Sequence, residues 1–497
     1  MSAVPWADLE AAGPLLAMIA APLAMMLLPP RREKGAPDDR YPALALAGCL
    51  AAAALLLMGW DRPSGTAFDG SLYIHRFGSA VALLVVGATA LTALPSARSA
   101  ARAGIDHGEY YMLLLFAAAG MMALPMANDF LTFFLSLEVL SLAVYALVGV
   151  RRGDAAGGEG ALKYFVNGAF ASAVLLFGAA LVYGATASVG FGPAAGAPFR
   201  PLLLLPGALM ILAGLAFKIG AVPFHGWVPD AYEGAPAAVT GFMAAGVKAA
   251  AFGALFKLAL GALWLENEAH RDMLRDAVRL AALASMIVGN VAAIAQPGLK
   301  RMLAYSGIAH TGYLLIGVSV ALGRPAPDAG GGEAAAILFY LAAYGVTILG
   351  AFGVAAALTR QGGREADRIE SLSGLARRRP VLAAALGLFL LSLAGVPPAG
   401  GFLAKLLLFR AAIDGGDLVL AIAGILASIV SVAYYLRPIV AMYFQEPADA
   451  WDPDGGRDAA STTALAAAAA GTLLLGILPA LPLIMADEAV RSLLTAR

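Results

Sequence analysis

From Leu203 to Tyr232 the chain reads LLLPGALMILAGLAFKIGAVPFHGWVPDAY, and no other stretch restricts the possible folds so tightly. A bilayer core of ~30 Å is crossed by ~20 helical residues, so this apolar run is too long for one membrane helix. Gly220, Pro223 and Pro229 are placed to interrupt its hydrogen-bond ladder, with Lys218 and His225 beside the interruption. Backbone freed inside lipid is tolerated only where protein or a water-filled cavity satisfies it. A broken helix carrying a lysine and a histidine at membrane depth therefore reads as an ion path.

The rest of the chain fits that setting. Hydrophobic residues make up 61% and charged residues 13%, against ~25% charged in soluble domains. The expected fold is an all-α polytopic membrane protein of about fourteen transmembrane helices. The N-terminus is acidic, and its first apolar run, ending at Leu28, has no small-residue cleavage site, so it reads as a retained helix. The formal net charge of zero says little about partners, since the distribution of charge carries that information in a membrane protein, and no basic face for nucleic acid is read in the chain. Cys49 is the only cysteine and the five histidines are scattered singly, so spacing supplies no iron–sulfur, haem or zinc ligand set. The chain is expected to carry no electrons itself. Gly190, Gly192 and Gly196 lack the spacing of a dinucleotide loop and read as a connection.

Basic residues cluster on alternate loops: Arg31, Arg32, Lys34, Arg40, Arg98, Arg102, Arg151, Arg152, Lys300, Arg301, Arg360, Arg364, Arg368 and Arg377 to Arg379 fall on odd ones. Those loops should be cytoplasmic, which leaves both termini on the outer face. Internal echoes are also present. YALVGV at Tyr145 recurs as YLLIGV at Tyr313, 168 residues later, and GAVPFHGW at Gly220 is echoed by AGVPPAGG at Ala394, 174 residues later. The shared offset suggests a five-helix unit over 110–263 repeated over 274–443, with a three-helix segment at 1–109 and a last helix and tail at 444–497. An odd number of spans per unit would invert the second copy. The second unit's overlong segment, 380–413, is interrupted at Pro397 and Pro398, so Lys218 precedes one break and Lys405 follows the other.

Charges inside the spans mark the candidate site. Glu138 sits ~12 Å along its helix at ~1.5 Å per residue, near the midplane, where a lone carboxylate must be paired or protonated. Lys218 is the opposite charge its own repeat offers; a static structural pair is the alternative. Lys248 lies near the middle of 236–260, too deep to snorkel. Lys257 and Arg410, nearer helix ends, read as snorkelling or solvated. Glu159 and Lys163, spaced i, i+4, fit a surface pair or an entry path equally well. His310 could be a proton relay or a hydrogen-bonded contact residue.

Four stretches carry a family resemblance: FKIGAVPFHGWVPDAYEGAP, LKYFVNGAFAS, GNVAAIAQPGLKRMLAYSGIAHTGYLLIG and LSLAGVPPAGGFLAKLLLFRAAI. They resemble subunit N of the proton-pumping NADH:quinone oxidoreductase, respiratory complex I, an antiporter-like family. The likeness spans roughly 110–443, and LKYF together with Lys405 in the second broken helix favours subunit N over its paralogue M. It implies a proton-translocating subunit in which Glu138, Lys218, Lys248 and Lys405 transfer protons, with Glu159, Lys163, His225 and His310 on a secondary path. It further implies no cofactor in this chain, in a complex that holds FMN and iron–sulfur clusters and acts on NADH and quinone. Other membrane subunits, a paralogous antiporter-like one among them, would be partners in a bacterial inner membrane, with both termini periplasmic. One departure is visible: the family's Gly-Ala-Pro-Thr-Pro is here Gly234, Ala235, Pro236, Ala237, Ala238, which removes a proline before Lys248. A subunit of a multi-subunit sodium/proton antiporter, or a non-transporting scaffold subunit, would share the same outline.

Overall fold

The computed structural model describes residues 5–28, 38–105, 107–191, 200–261, 268–323, 331–358, 365, 367–447 and 458–494. Arg31, Arg32, Lys34, Arg360 and Arg364, like Gly192 and Gly196, lie outside the described residues. The chain opens with α1 (Trp6–Ala11), α2 (Gly13–Met26) and α3 (Arg40–Met58), then a small antiparallel hairpin, β1 (Gly65–Ala67) with β2 (Leu72–Ile74). Next come α4 (Arg76–Arg102), α5 (His107–Ala123), α6 (Phe130–Val148), α7 (Ala155–Thr186), α8 (Pro201–Ile219) and α9 (Trp227–Gly234). α10 (Ala237–Phe242) runs through a π-helical turn, Met243–Val247, into α11 (Lys248–Gly261). α12 (Glu268–Ile294), α13 (Leu299–Leu322) and α14 (Gly331–Ala357) precede a short α15 (Leu375–Arg378). α16 (Pro380–Ala394), α17 (Gly400–Asp414), α18 (Leu418–Phe444), α19 (Ala459–Ile477) and α20 (Ala480–Leu494) complete the chain.

Twelve of these segments are long and apolar enough to cross a membrane, and α2 and α16 are shorter apolar helices. The segment from α10 to α11 is enclosed on every side, whereas α7 and α18 leave Phe170, Phe177, Ile422 and Ile429 exposed. In lipid such faces cost nothing, and close packing has to hold the helices together. It does so through small residues. A Cβ on Gly178 of α7 would lie 2.7 Å from the Gly207 carbonyl of α8, so these two backbones meet only because neither residue has a side chain. α14 is the common wall, packed on α4, α10, α16, α17 and α19.

Both interruptions expected from sequence are present. α8 stops at Gly220, whose φ of 70° favours glycine, and α16 stops at Gly395, φ 89°. Pro229 differs from expectation: it sits in the first turn of α9, where the absent N–H removes no helical bond, so it begins a helix and breaks none. The single last helix expected within 444–497 is instead divided at Leu478–Pro479 between α19 and α20. The proline lost before Lys248 does not leave a regular helix, because the π-helical turn distorts the ladder just ahead of that residue.

Candidate functional site

Lys218 occupies the last turn of α8, where helix-end carbonyls favour a cation, and its side chain is 5% exposed. Its Nζ donates to Ser141 Oγ at 2.7 Å and, at a long 3.5 Å, to the Tyr164 hydroxyl. The Tyr145 and Tyr164 rings lie 5.2 and 5.3 Å from the ammonium. The break itself is satisfied by protein: Trp227 Nε1 donates to the Phe217 carbonyl at 3.0 Å, and its indole stacks on Tyr164 with centroids 3.9 Å apart.

Glu138 is half-buried on α6 and accepts a 2.5 Å hydrogen bond from Ser172 Oγ on α7. Sequence reasoning paired it with Lys218, but among the described residues the two make no direct ion pair. Each has a serine instead, and Ser141 and Glu138 share one face of α6 a turn apart.

Lys248, also 5% exposed, donates to the Gly307 carbonyl of α13 at 2.6 Å, with the Tyr344 ring 4.9 Å away. A cavity of about 10 Å³ is lined by Lys218 and Lys248 together with Tyr164, Tyr232 and Gly307. That is close to the space one water needs, ~10–15 Å³.

Lys405 lies on α17, past the second break, and donates to the Ala394 carbonyl at 3.0 Å and to Ser428 Oγ at 2.9 Å. Lys405 thus takes up a carbonyl at the C-terminal end of the half-helix α16, whereas Lys218, itself in the last turn of α8, bonds side-chain hydroxyls. Its ammonium lies 5.2 Å from the Tyr313 ring. Between Lys248 and Lys405 run hydrogen-bonding side chains. His310 Nδ1 meets the Tyr340 hydroxyl at 2.6 Å, its Nε2 meets the Tyr435 hydroxyl at 3.1 Å, and Tyr435 bonds Ser306. The Tyr344 ring is 4.7 Å from His310 and next to Lys248, while Tyr434 donates to Asn290 Oδ1 at 3.0 Å and Asn290 reaches the Tyr313 hydroxyl at 3.5 Å.

The remaining candidates separate from this chain. His225 is half-buried in the turn between α8 and α9, its Nδ1 has no partner among the described residues, and it makes no hydrogen bond to Lys218. Glu159 and Lys163 pair at 2.6 Å on the surface, and the network continues through Asp230 and Arg301 to Glu233. Lys257 contradicts its sequence reading: it neither snorkels nor meets solvent, being 8% exposed with Nζ on the Ala127 carbonyl at 2.6 Å. Nine residues, two and a half turns at ~3.6 residues each, turn it away from Lys248. Arg410 is exposed and pairs with Asp414. Sequence reasoning missed Ser141, Ser172, Asn290 and the tyrosines; hydroxyl and amide groups on apolar helices are the available signal, though many such groups merely bond their own helix. Among the described residues no three His, Cys, Asp or Glu side chains converge as a metal site would.

Comparison with known proteins places this geometry. The family model described as NADH:quinone oxidoreductase/Mrp antiporter, TM, matches residues 127–431. NADH-quinone oxidoreductase subunit N 1 of Sorangium cellulosum is 44% identical over 442 residues, covering 86% of this chain and 82% of that protein. Subunit N of Chloroflexus aggregans is 37% identical and covers 96% of both chains. A chain of respiratory complex I from Thermus thermophilus, solved with bound aureothin, superposes with a TM-score of 0.79 at 34% identity, over 96% of this chain and 98% of that one. A chain of the Mrp complex from Dietzia reaches a TM-score of 0.82 at 23% identity, over 98% of each, which speaks for the fold alone. The chain belongs to the NADH:quinone oxidoreductase/Mrp antiporter transmembrane family, among the subunit N proteins of NADH-quinone oxidoreductase.

Proposed function

We propose that this chain moves protons as a membrane subunit of a bacterial NADH:quinone oxidoreductase, driven by electron transfer in other subunits. The observation that carries the reading is the alternation of Lys218, Lys248 and Lys405, each with an oxygen acceptor, with hydroxyl, imidazole and amide groups across the protein. Snorkelling cannot account for amines enclosed this way, and a scaffold has no use for them. Drawing Glu138 towards or away from Lys218, through the Ser141 and Ser172 contacts, decides where a proton rests. From Lys218 it passes the small cavity to Lys248, then the Tyr344, His310 and Tyr435 groups, and leaves by Lys405. Glu159 and Lys163 mark the entry side, and His225 has a subordinate part.

The inverted-repeat plan supports this path. The tyrosines of the two echoes, Tyr145 and Tyr313, each present a ring 5.2 Å from a lysine ammonium, Lys218 and Lys405 respectively. Gly120 packs on the Leu140 backbone and Gly289 on that of Ala309, 169 residues later in both members. The units 110–263 and 274–443 are then repeats, the twelve long spans with α2 and α16 make fourteen crossings, and the odd loops face the cytoplasm. FMN, iron–sulfur clusters and the NADH and quinone sites belong to partner subunits, and a paralogous antiporter-like subunit is a neighbour.

A multi-subunit sodium/proton antiporter shares the fold, as the Mrp likeness indicates. Purification after mild detergent extraction separates the two readings. Flavin and iron–sulfur absorbance co-eluting with this chain is expected; elution with antiporter subunits and no flavin would overturn the proposal.

A further inference from the structure

Nothing in the proton path uses Glu365, which lies on the loop between α14 and α15, yet its carboxylate is only 8% exposed. Three donors converge on it: Arg151 Nη2 at 2.6 Å, Lys300 Nζ at 3.1 Å and the Ala237 backbone N–H at 3.0 Å. Lys300 also donates to the Ala235 carbonyl at 2.8 Å. The loop is stitched to the start of α13, since Ile369 N donates to the Pro297 carbonyl at 2.9 Å and Lys300 N to Asp367 Oδ1 at 3.0 Å. One carboxylate thus joins the α6–α7 turn, the α9–α10 junction and the first residues of α13.

What those elements carry gives the cluster its meaning. α10 begins at Ala237 behind Pro236, which has no side-chain oxygen with which to cap a helix. A helix start leaves backbone N–H groups unsatisfied and attracts negative charge, and here both needs are met by Glu365. The same helical segment leads through the π-helical turn to Lys248, ~16 Å further at ~1.5 Å per residue. It is buried on all faces, so its axial position depends on its neighbours and on how its start is held. Lys300 sits in the first turn of α13, whose Gly307 carbonyl receives the Lys248 ammonium. The cluster therefore grips the start of the helix that donates that hydrogen bond and the start of the helix that accepts it.

We propose that Glu365 is a positioning residue for Lys248: with Arg151 and Lys300 it fixes α10 and α11 against α13, keeping the ammonium in reach of Gly307. This rests on the reading that Lys248 carries protons.

The test compares Glu365→Gln, Glu365→Asp and Lys248→Ala in the purified, membrane-reconstituted complex. For Glu365→Gln, flavin content and quinone KM stay at wild-type values, proton-coupled kcat falls about fivefold, and amide exchange across 237–247 rises roughly tenfold. Glu365→Asp recovers more than half of the lost kcat. An ordinary packing contact would not return kcat with the carboxylate, so no recovery in Glu365→Asp overturns the proposal. Full kcat and unchanged exchange in Glu365→Gln, with Lys248→Ala impaired, overturns the positioning role alone. A fully coupled Lys248→Ala complex instead removes the proton-path reading on which it rests. If Glu365→Gln does not assemble, the double variant R151Q/E365Q, which keeps the net charge of the cluster, takes its place; the same loss of kcat supports the proposal and full kcat overturns it.

Discussion

At the scale of single residues, Ser141 shows how much of a buried charge depends on a neutral neighbour. It is the close acceptor for Lys218, and it lies one turn from the carboxylate that would steer the proton. Removing it leaves the ammonium only a 3.5 Å contact with Tyr164, and an unsatisfied buried donor costs about 1–3 kcal/mol. Ser141→Ala should therefore assemble normally but lower coupled NADH:quinone turnover by about tenfold, the rate equivalent of ~1.4 kcal/mol. Turnover with an acceptor that bypasses quinone is the control and should not change. The lysines were legible in the sequence because a charge in an apolar run is expensive wherever its helix packs. Their partners were not, since whether Ser141 or Tyr145 faces Lys218 depends on how α6 is rotated against α8. Lys257 failed for the same reason: its distance from the helix end was visible, and the Ala127 carbonyl waiting for it was not.

At the scale of elements, the breaks after α8 and α16 could be placed from glycine and proline, because those residues act through their own backbone. The anchoring of α10 could not, because its cap comes from a loop more than a hundred residues away. That anchor has a pH signature. Burial alone would raise the Glu365 carboxyl, but the Lys300 and Arg151 charges and the Ala237 N–H outweigh it and hold it below its ordinary value of 4.5. A carboxyl depressed by folding contributes its stability in full above that value and loses it as pH falls further. Asp367, raised by burial from 3.8, acts in the opposite sense, so protonating it relieves the loop. The protection of the 237–240 amides, relative to their intrinsic exchange at each pH, should hold down to about pH 4.5 and fall below it. Loss of protection beginning near neutrality would exclude the Glu365 anchor as its cause.

At the scale of the whole molecule, the fold class and most spans were legible, because the bilayer sets helix length independently of tertiary detail. The division of the last span was not, since nothing local distinguishes Pro479 as a corner from a proline tolerated within a helix, as Pro438 is in α18. Orientation makes its own prediction. With the sole cysteine, Cys49, replaced by alanine, Thr66→Cys should react with an impermeant maleimide added outside the cell, and Ala155→Cys only after permeabilisation. The reverse pattern would invert the topology and, with it, the entry and exit sides. The central claim, that the buried lysines Lys218, Lys248 and Lys405 carry protons, is tested most directly at Lys248, whose ammonium bridges α11 and α13. Proton uptake per NADH oxidised, measured in proteoliposomes of the assembled complex, should fall in Lys248→Ala while NADH oxidation by the bypass acceptor persists. An unchanged proton-to-NADH ratio, at wild-type turnover, would contradict the account.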